Sequence, residues 1–239
     1  MTKLSVNVNK VALLRNSRDL DIPNVVKAAK ICIAAGAHGI TVHPRPDERH
    51  IRRADVFDLA KVVAPVEFNI EGYPDDRYMD IVRQVRPTQA TLVPDAPGQR
   101  TSDHGWDLVR DGKFVGPIIQ TLKGQGIRVS LFVDPVLAQV EQAAAIKADR
   151  IELYTEPYAR AFAAGDYKAV LDTYVAAARK AVALGLAVNA GHDLNLHNLR
   201  TFITAVGCVA EVSIGHALIA DAIEMGLAAT VKEYLRLLN

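Results

Sequence analysis

Short runs rich in branched and apolar residues recur along the chain at Leu4–Val8, Gly39–His43, Val66–Glu71, Ala90–Val93, Arg128–Val133, Arg150–Tyr154, Leu186–Asn189 and Glu211–Ile214. Each reads as a strand buried in a parallel sheet, and the segments between them carry a helical period. The runs begin roughly 20 to 40 residues apart, which is the spacing a crossover through a helix needs. No Asn-Gly or Asp-Gly turn joins two of them as a hairpin. The pattern therefore predicts a (β/α)8 barrel of the TIM type with extra helices. Typical helices are expected over Asn24–Ala35 with Gly36 at the end, Ala54–Val63, Asp76–Val85 with Pro87 beyond, and Pro135–Lys147. After the sixth strand, Thr155–Ala163 reads as one extra short helix with Pro157 in its first turn. A longer helix restarts at Gly165-Asp166 and runs to Leu184, with Gly185 as its stop. Between Pro94 and Trp106 lies a polar stretch punctuated by Gly and Pro, at the strand end where barrel enzymes keep lids.

The length of 239 residues suits a single barrel domain over 1–239. With 50% hydrophobic and 23% charged residues the composition is globular, and no apolar run approaches the ~20 residues of a membrane span. The start of the chain lacks the apolar core of a signal peptide, so a cytoplasmic protein is expected. Cys32 and Cys208 make neither a disulfide framework nor a metal pattern and read as core thiols. A net charge of +1 gives no general attraction to nucleic acid, so any anion site must be local.

Such a site is expected where the last two runs end, at Gly191-His192 and Gly215-His216, each read as passing directly into a helix. A glycine lets backbone N–H groups approach a ligand, and a following helix aims its positive end at the same place. In barrels of this type the loops after the last two strands commonly hold phosphate. At the first strand, alternation turns Asn7 and Asn9 toward the barrel mouth, while Arg15 reads as a solvated group and Arg18 follows on the loop. His43 ends the second strand as a candidate general base titrating near neutral pH, and Arg45 and His50 follow on a proline-bracketed loop suited to clamping phosphate. Glu71 ends the third strand on the face shared with Asn69, and a partly desolvated carboxylate there suits proton transfer from carbon. Glu152, set inside an apolar strand, stands either for function or for a structural ion pair with an arginine. His38, at the opposite end of the barrel, His104 on the lid, and His197, read as helical, receive no role.

Taken together, Val6-Asn7-Val8-Asn9, Thr41-Val42-His43-Pro44-Arg45 with His50, Asn69-Ile70-Glu71, Leu92-Val93-Pro94, Val129-Ser130-Leu131-Phe132, Val188-Asn189-Ala190-Gly191-His192 and Ile214-Gly215-His216-Ala217 resemble the pyridoxine 5′-phosphate synthase (PdxJ) family over nearly the whole chain. The resemblance implies a ring-forming transferase that condenses 1-deoxy-D-xylulose 5-phosphate with 3-amino-2-oxopropyl phosphate and releases phosphate and water. It implies His43 and Glu71 as proton acceptors, His192 as proton donor and Glu152 as support for an intermediate. Asn7, Arg18, Gly215 and His216 are implied to hold the aminoketone phosphate, and Arg45, His50 and Ser102 the deoxyxylulose phosphate. Asn9-Lys10 stands where the better-known form of the family has Asp-His, Ser102 stands for threonine, and Asp193 stands for a glycine beside the phosphate site. No organic cofactor and no metal are expected, no membrane or nucleic-acid partner, and a homo-octamer built from dimers is implied. The alternative is a metal-dependent sugar-phosphate isomerase or epimerase with His43, Glu71, His192 and His216 around a divalent ion.

Overall fold

The computed structural model describes residues 1–95, 98, 99 and 101–239. The expected lid crosses the three remaining positions, and Arg100 lies outside the described residues. Eight parallel strands close into a barrel in sequence order, β1 (Lys3–Asn7), β2 (Gly39–Val42), β3 (Glu67–Gly72), β4 (Gln89–Leu92), β5 (Arg128–Val133), β6 (Arg150–Leu153), β7 (Ala187–Ala190) and β8 (Val209–Ile214). Each expected run thus holds a strand. Around them, among the described residues, lie α1 (Asn9–Asn16), α2 (Val25–Ala34), α3 (Arg53–Ala60), α4 (Asp76–Val85), α5 (Leu108–Gly124), α6 (Leu137–Ala145), α7 (Glu156–Ala163), α8 (Lys168–Ala183), α9 (Leu199–Val206), α10 (His216–Met225) and α11 (Leu227–Leu238).

Extra helices are more numerous than the one expected at α7. α1 follows β1 almost at once, and the final helical segment is broken in two at Gly226, whose φ of +78° ends α10 and opens α11. Asn9 is consequently not a strand residue. β1 stops at Asn7, and Asn9 starts α1. Arg15 is also not solvated. It is buried against Asp55 of α3, with Nη1–Oδ1 at 2.5 Å and Nη2–Oδ2 at 2.8 Å, and Nη2 donates to the His50 carbonyl oxygen at 3.2 Å. Ion pairing and burial together let α1 brace the loop that carries His50. His197 sits in a turn ahead of α9 rather than on a helix. Cys32 lies in the core, while Cys208 is half-buried and packs against it.

Strand register sorts the side chains into two faces. Leu4, Val6, Ile40, Val42, Ile70, Leu92, Val129, Leu131, Ile151, Val188, Val212 and Ile214 face outward and meet the helices, where all are buried. Burying one such side chain contributes about 1.5–3 kcal/mol, so this seam drives folding. The inward face is polar, unlike the Val, Ile and Leu layers common in such barrels. At its N-terminal end Glu67 accepts from Lys3 and Arg128, and Arg150 reaches Asn189 and Glu211. Above them Ser5 and Thr41 share a hydrogen bond at 2.7 Å and Thr91 donates to Asn69 at 2.9 Å. Such partners are required because a buried polar group left unpaired is costly.

Candidate active site

The C-terminal ends of the strands open into a cavity of about 740 Å³. Of the residues singled out from the sequence, Asn7, Asn9, Lys10, His43, Arg45, His50, Glu71, Ser102, Glu152, His192, Asp193, Gly215 and His216 all line it. Arg18 does not. It is exposed on the segment after α1.

One side of the cavity is built by β1 and β8. The Asn7 amide is oriented by its neighbours, with Oδ1 accepting from Asn9 N–H at 3.0 Å and Nδ2 donating to Glu71 Oε2 at 3.5 Å. Gly215 caps α10 and His216 opens it, so the helix N-terminus lies at the cavity wall, an arrangement suited to an anion. A Cβ at Gly215 would stand 3.1 Å from Asn7 Cγ, a close approach to a side chain that can shift. Gly191 is tighter still, because its Cβ would meet the Ser213 carbonyl oxygen at 2.0 Å. No helix follows Gly191 directly. Residues 192–198 form turns before α9, so the expected helix dipole acts only at the β8 end. Lys10 adds a cation here, and no carboxylate lies within ion-pair distance of its amine among the described residues.

The opposite side carries Arg45, His50 and Ser102. Arg45 pairs with the buried Asp95, whose Oδ2 also accepts from Ser102 Oγ at 2.8 Å, and Arg45 Nη1 donates to the Gln99 carbonyl at 3.1 Å. The carboxylate thus joins two groups expected to grip a phosphate. His50 Nδ1 accepts from Ile51 N–H at 2.8 Å, which leaves its proton on Nε2 as a donor. Burial, aided by the charges of Arg45, Lys10 and Arg49 against an opposing Asp47, lowers His50 to about 4, so the ring stays neutral.

Between these sides lie the titrating groups. Burial first, then Arg45, His50 and Arg49, holds His43 well below the ordinary histidine range. It does not titrate near neutral pH as expected but remains a neutral base, and its backbone N–H donates to Asn9 Oδ1 at 2.9 Å. Glu71 is pushed up to about 8, chiefly by burial, with Asp95 and Glu211 adding to the rise and Arg45 offsetting it. Glu152 is also raised, by burial and then by Glu71 and Glu211. Among the described residues its Oε2 has no hydrogen-bond partner and no arginine pairs with it, since Arg150 turns to Glu211 and Asn189. The ion-pair reading of Glu152 thus finds no partner among the described arginines. The two raised carboxyls and the neutral His43 bring groups suited to proton exchange together in one place.

Sequence reasoning missed several lining residues, among them Phe132, Tyr154, Ser213, Thr101 and Arg49, as well as Asp95 behind Arg45. Alternation from Glu152 already places Tyr154 on the inner face, and the same rule carried along β5 finds Phe132. Asp95 carried no such signal, because its burial depends on how the segment after β4 folds back.

A family model described as "Pyridoxal phosphate biosynthesis protein PdxJ" matches residues 4–239. The chain belongs to the PdxJ family. Its relatives in that family include a pyridoxine 5'-phosphate synthase from Albidiferax ferrireducens, 55% identical over 98% of this chain and 96% of the relative. Another, from Bacteroides fragilis, carries the same name and is 54% identical over 98% of both chains. Among solved structures, tryptophan synthase from M. tuberculosis matches with a TM-score of 0.68 at 10% identity, covering 100% of this chain and 94% of that one. Phosphoribosyl anthranilate isomerase from Thermotoga maritima matches at 0.65 and 12%, covering 100% and 98%. These two show the barrel fold alone. Within the PdxJ pattern, the departures at Asn9-Lys10 and Asp193 all fall on the cavity wall.

Proposed function

We propose that this chain is a pyridoxine 5′-phosphate synthase, an enzyme of vitamin B6 synthesis that condenses 1-deoxy-D-xylulose 5-phosphate with 3-amino-2-oxopropyl phosphate. The observation that carries this reading is one cavity with an anion-seeking wall on each side and a neutral base with two raised carboxyls between them. It is in keeping with the family and with the names of relatives at more than half identity. The α10 N-terminus, with Asn7 and Lys10, takes the aminoketone phosphate, and Arg45, His50 and Ser102 take the other.

The substrate amine attacks the ketone to form an imine. His43 and Glu71 then accept protons from carbon as phosphate and water leave, His192 returns a proton, and carbon–carbon closure with dehydration completes the ring. Positioning two phosphates and moving protons demands no organic cofactor. Among the described residues no three His, Cys, Asp or Glu side chains converge as metal ligands, so the isomerase reading has less to support it. We place the enzyme in the cytoplasm, and no helix among the described residues is long and apolar enough to cross a membrane. A homo-octamer of dimers is proposed as the assembly. The segment from Leu13 to Ile22, with Leu13, Leu14, Leu20 and Ile22 exposed around Arg18, offers apolar surface for such contacts.

The test is incubation of purified protein with both substrates, with absorbance and mass as readouts. Pyridoxine 5′-phosphate is expected only when both are present and is unaffected by EDTA. Absence of product, or turnover abolished by the chelator, overturns the reading.

A further inference from the structure

One charged side chain on the cavity wall has no part in the steps above, and its geometry assigns it one. Asp193 follows His192 directly and adopts φ +67°, the left-handed region that a non-glycine residue seldom occupies. That turn brings its carboxylate back onto the preceding ring, with Oδ2 2.5 Å from His192 Nδ1. The backbone on both sides is pinned. Thr155 Oγ1 donates to the His192 carbonyl oxygen, Asn198 Nδ2 donates to the Asp193 carbonyl oxygen at 3.3 Å, and Leu194 N–H donates to the Gly191 carbonyl at 3.0 Å. The imidazole lies edge-on to Tyr154 at 5.3 Å between ring centroids, with Phe132 at 6.4 Å. Its other nitrogen, Nε2, lies 3.3 Å from Thr101 Oγ1 on the segment after β4.

We propose that Asp193 is a positioning residue for His192, whose carboxylate commits Nδ1–H to itself and leaves Nε2 as the only ring nitrogen that exchanges a proton with the cavity. The proposal rests on the reading of His192 as the proton donor. In the donating step the Nε2 proton passes to substrate, the Nδ1 proton stays where it is, and Asp193 remains ionised throughout. Burial raises the Asp193 carboxyl, but the bond to His192 and the charges of His192, His216 and Lys10 outweigh it and hold it below the usual range, so it is a carboxylate at working pH. The same neighbours explain how an anion is tolerated beside a phosphate site. Lys10 from α1 and His216 from α10 face it, and the carboxylates Glu71, Glu152 and Glu156 line the same cavity. An aspartate that holds a histidine tautomer in this way decides which face of the ring does chemistry.

Histidine ¹⁵N NMR on the full chain tests it, comparing wild type with Asp193→Asn and Asp193→Gly. The glycine variant keeps the left-handed backbone without strain, so it separates the carboxylate from the turn. Wild type is expected to show neutral His192 protonated on Nδ1, and both variants to lose that signature. With both substrates saturating, kcat is expected to fall by ~10-fold or more in the variants while KM changes little. An unchanged His192 tautomer in both variants, or a loss confined to KM, overturns the proposal. The NMR readout needs no turnover. If His192→Asn retained full activity the donor reading would fail by itself, and if the tautomer did not move the pairing would fail by itself.

Discussion

Two Gly-His pairs end adjacent strands of this barrel, and they do different work. At the end of β8, Gly215 passes straight into α10, so the backbone N–H groups of a helix start stand beside the exposed His216. At the end of β7, Gly191 packs against the β8 backbone, the chain turns through Asp193, and His192 is half-buried between a carboxylate and an aromatic ring. One end presents fixed dipoles suited to binding charge, and the other presents a side chain placed for the proton transfer proposed for it. The same dipeptide therefore states only that the backbone must come close. The residues after it, and what packs over them, decide the chemistry.

The contrast breaks first in stability. Gly191→Ala puts a methyl group 2.0 Å from a backbone oxygen that cannot move away, so a loss of at least ~3 kcal/mol is expected in urea denaturation, or no folded protein at all. Gly215→Ala meets a side chain at 3.1 Å, which can yield, and should leave the urea midpoint nearly unchanged. Equal losses would mean that the two glycines do the same job.

In catalysis, His192→Asn is expected to lower kcat by at least ~100-fold with the fold intact, as is His43→Gln. His216→Asn should leave kcat nearly unchanged and raise KM for the aminoketone phosphate by ~10-fold or less, since the helix N–H groups remain. Full activity in the first pair would undo the assignment of chemistry to these strand ends.

The third test sharpens what lies between the two ends. Glu71, tied to the β8 side through Asn7, has its folded-state value raised to about 8 from an unfolded value near 4.5. A carboxyl raised on folding favours the native state below the unfolded value and loses stability as pH rises toward the folded one. Glu71→Gln should therefore raise Tm by a few °C at pH 8 and change it little at pH 4. The same variant should abolish an alkaline rise in kcat centred near pH 8 that deprotonation of Glu71 would produce. Identical Tm differences at the two pH values would show that Glu71 is not held protonated.

Much of this was legible from residue order. All eight strands followed from apolar runs, and many lining residues from what stood at their ends or from the family resemblance, while Thr101, Phe132, Tyr154 and Ser213 did not. Arg15 shows where local reading stops, because an arginine at a strand end looks solvated until Asp55, 40 positions away, is folded against it. Asn9 shows the same at shorter range. The pattern Val-Asn-Val-Asn continues a strand by alternation, yet the chain turns into a helix after Asn7, whose side chain takes the Asn9 N–H.

What the sequence by itself determined is the barrel, since helical crossovers between buried runs permit few other closures, and the identity of the groups at its mouth. The tertiary structure decided their protonation and their partners. His43 is neutral and Glu71 and Glu152 are raised because burial removes water and sets Arg45, Asp95 and Glu211 around them. These effects depend on distances of a few ångströms between strands far apart in the chain. Periodicity along one strand carries no information about them.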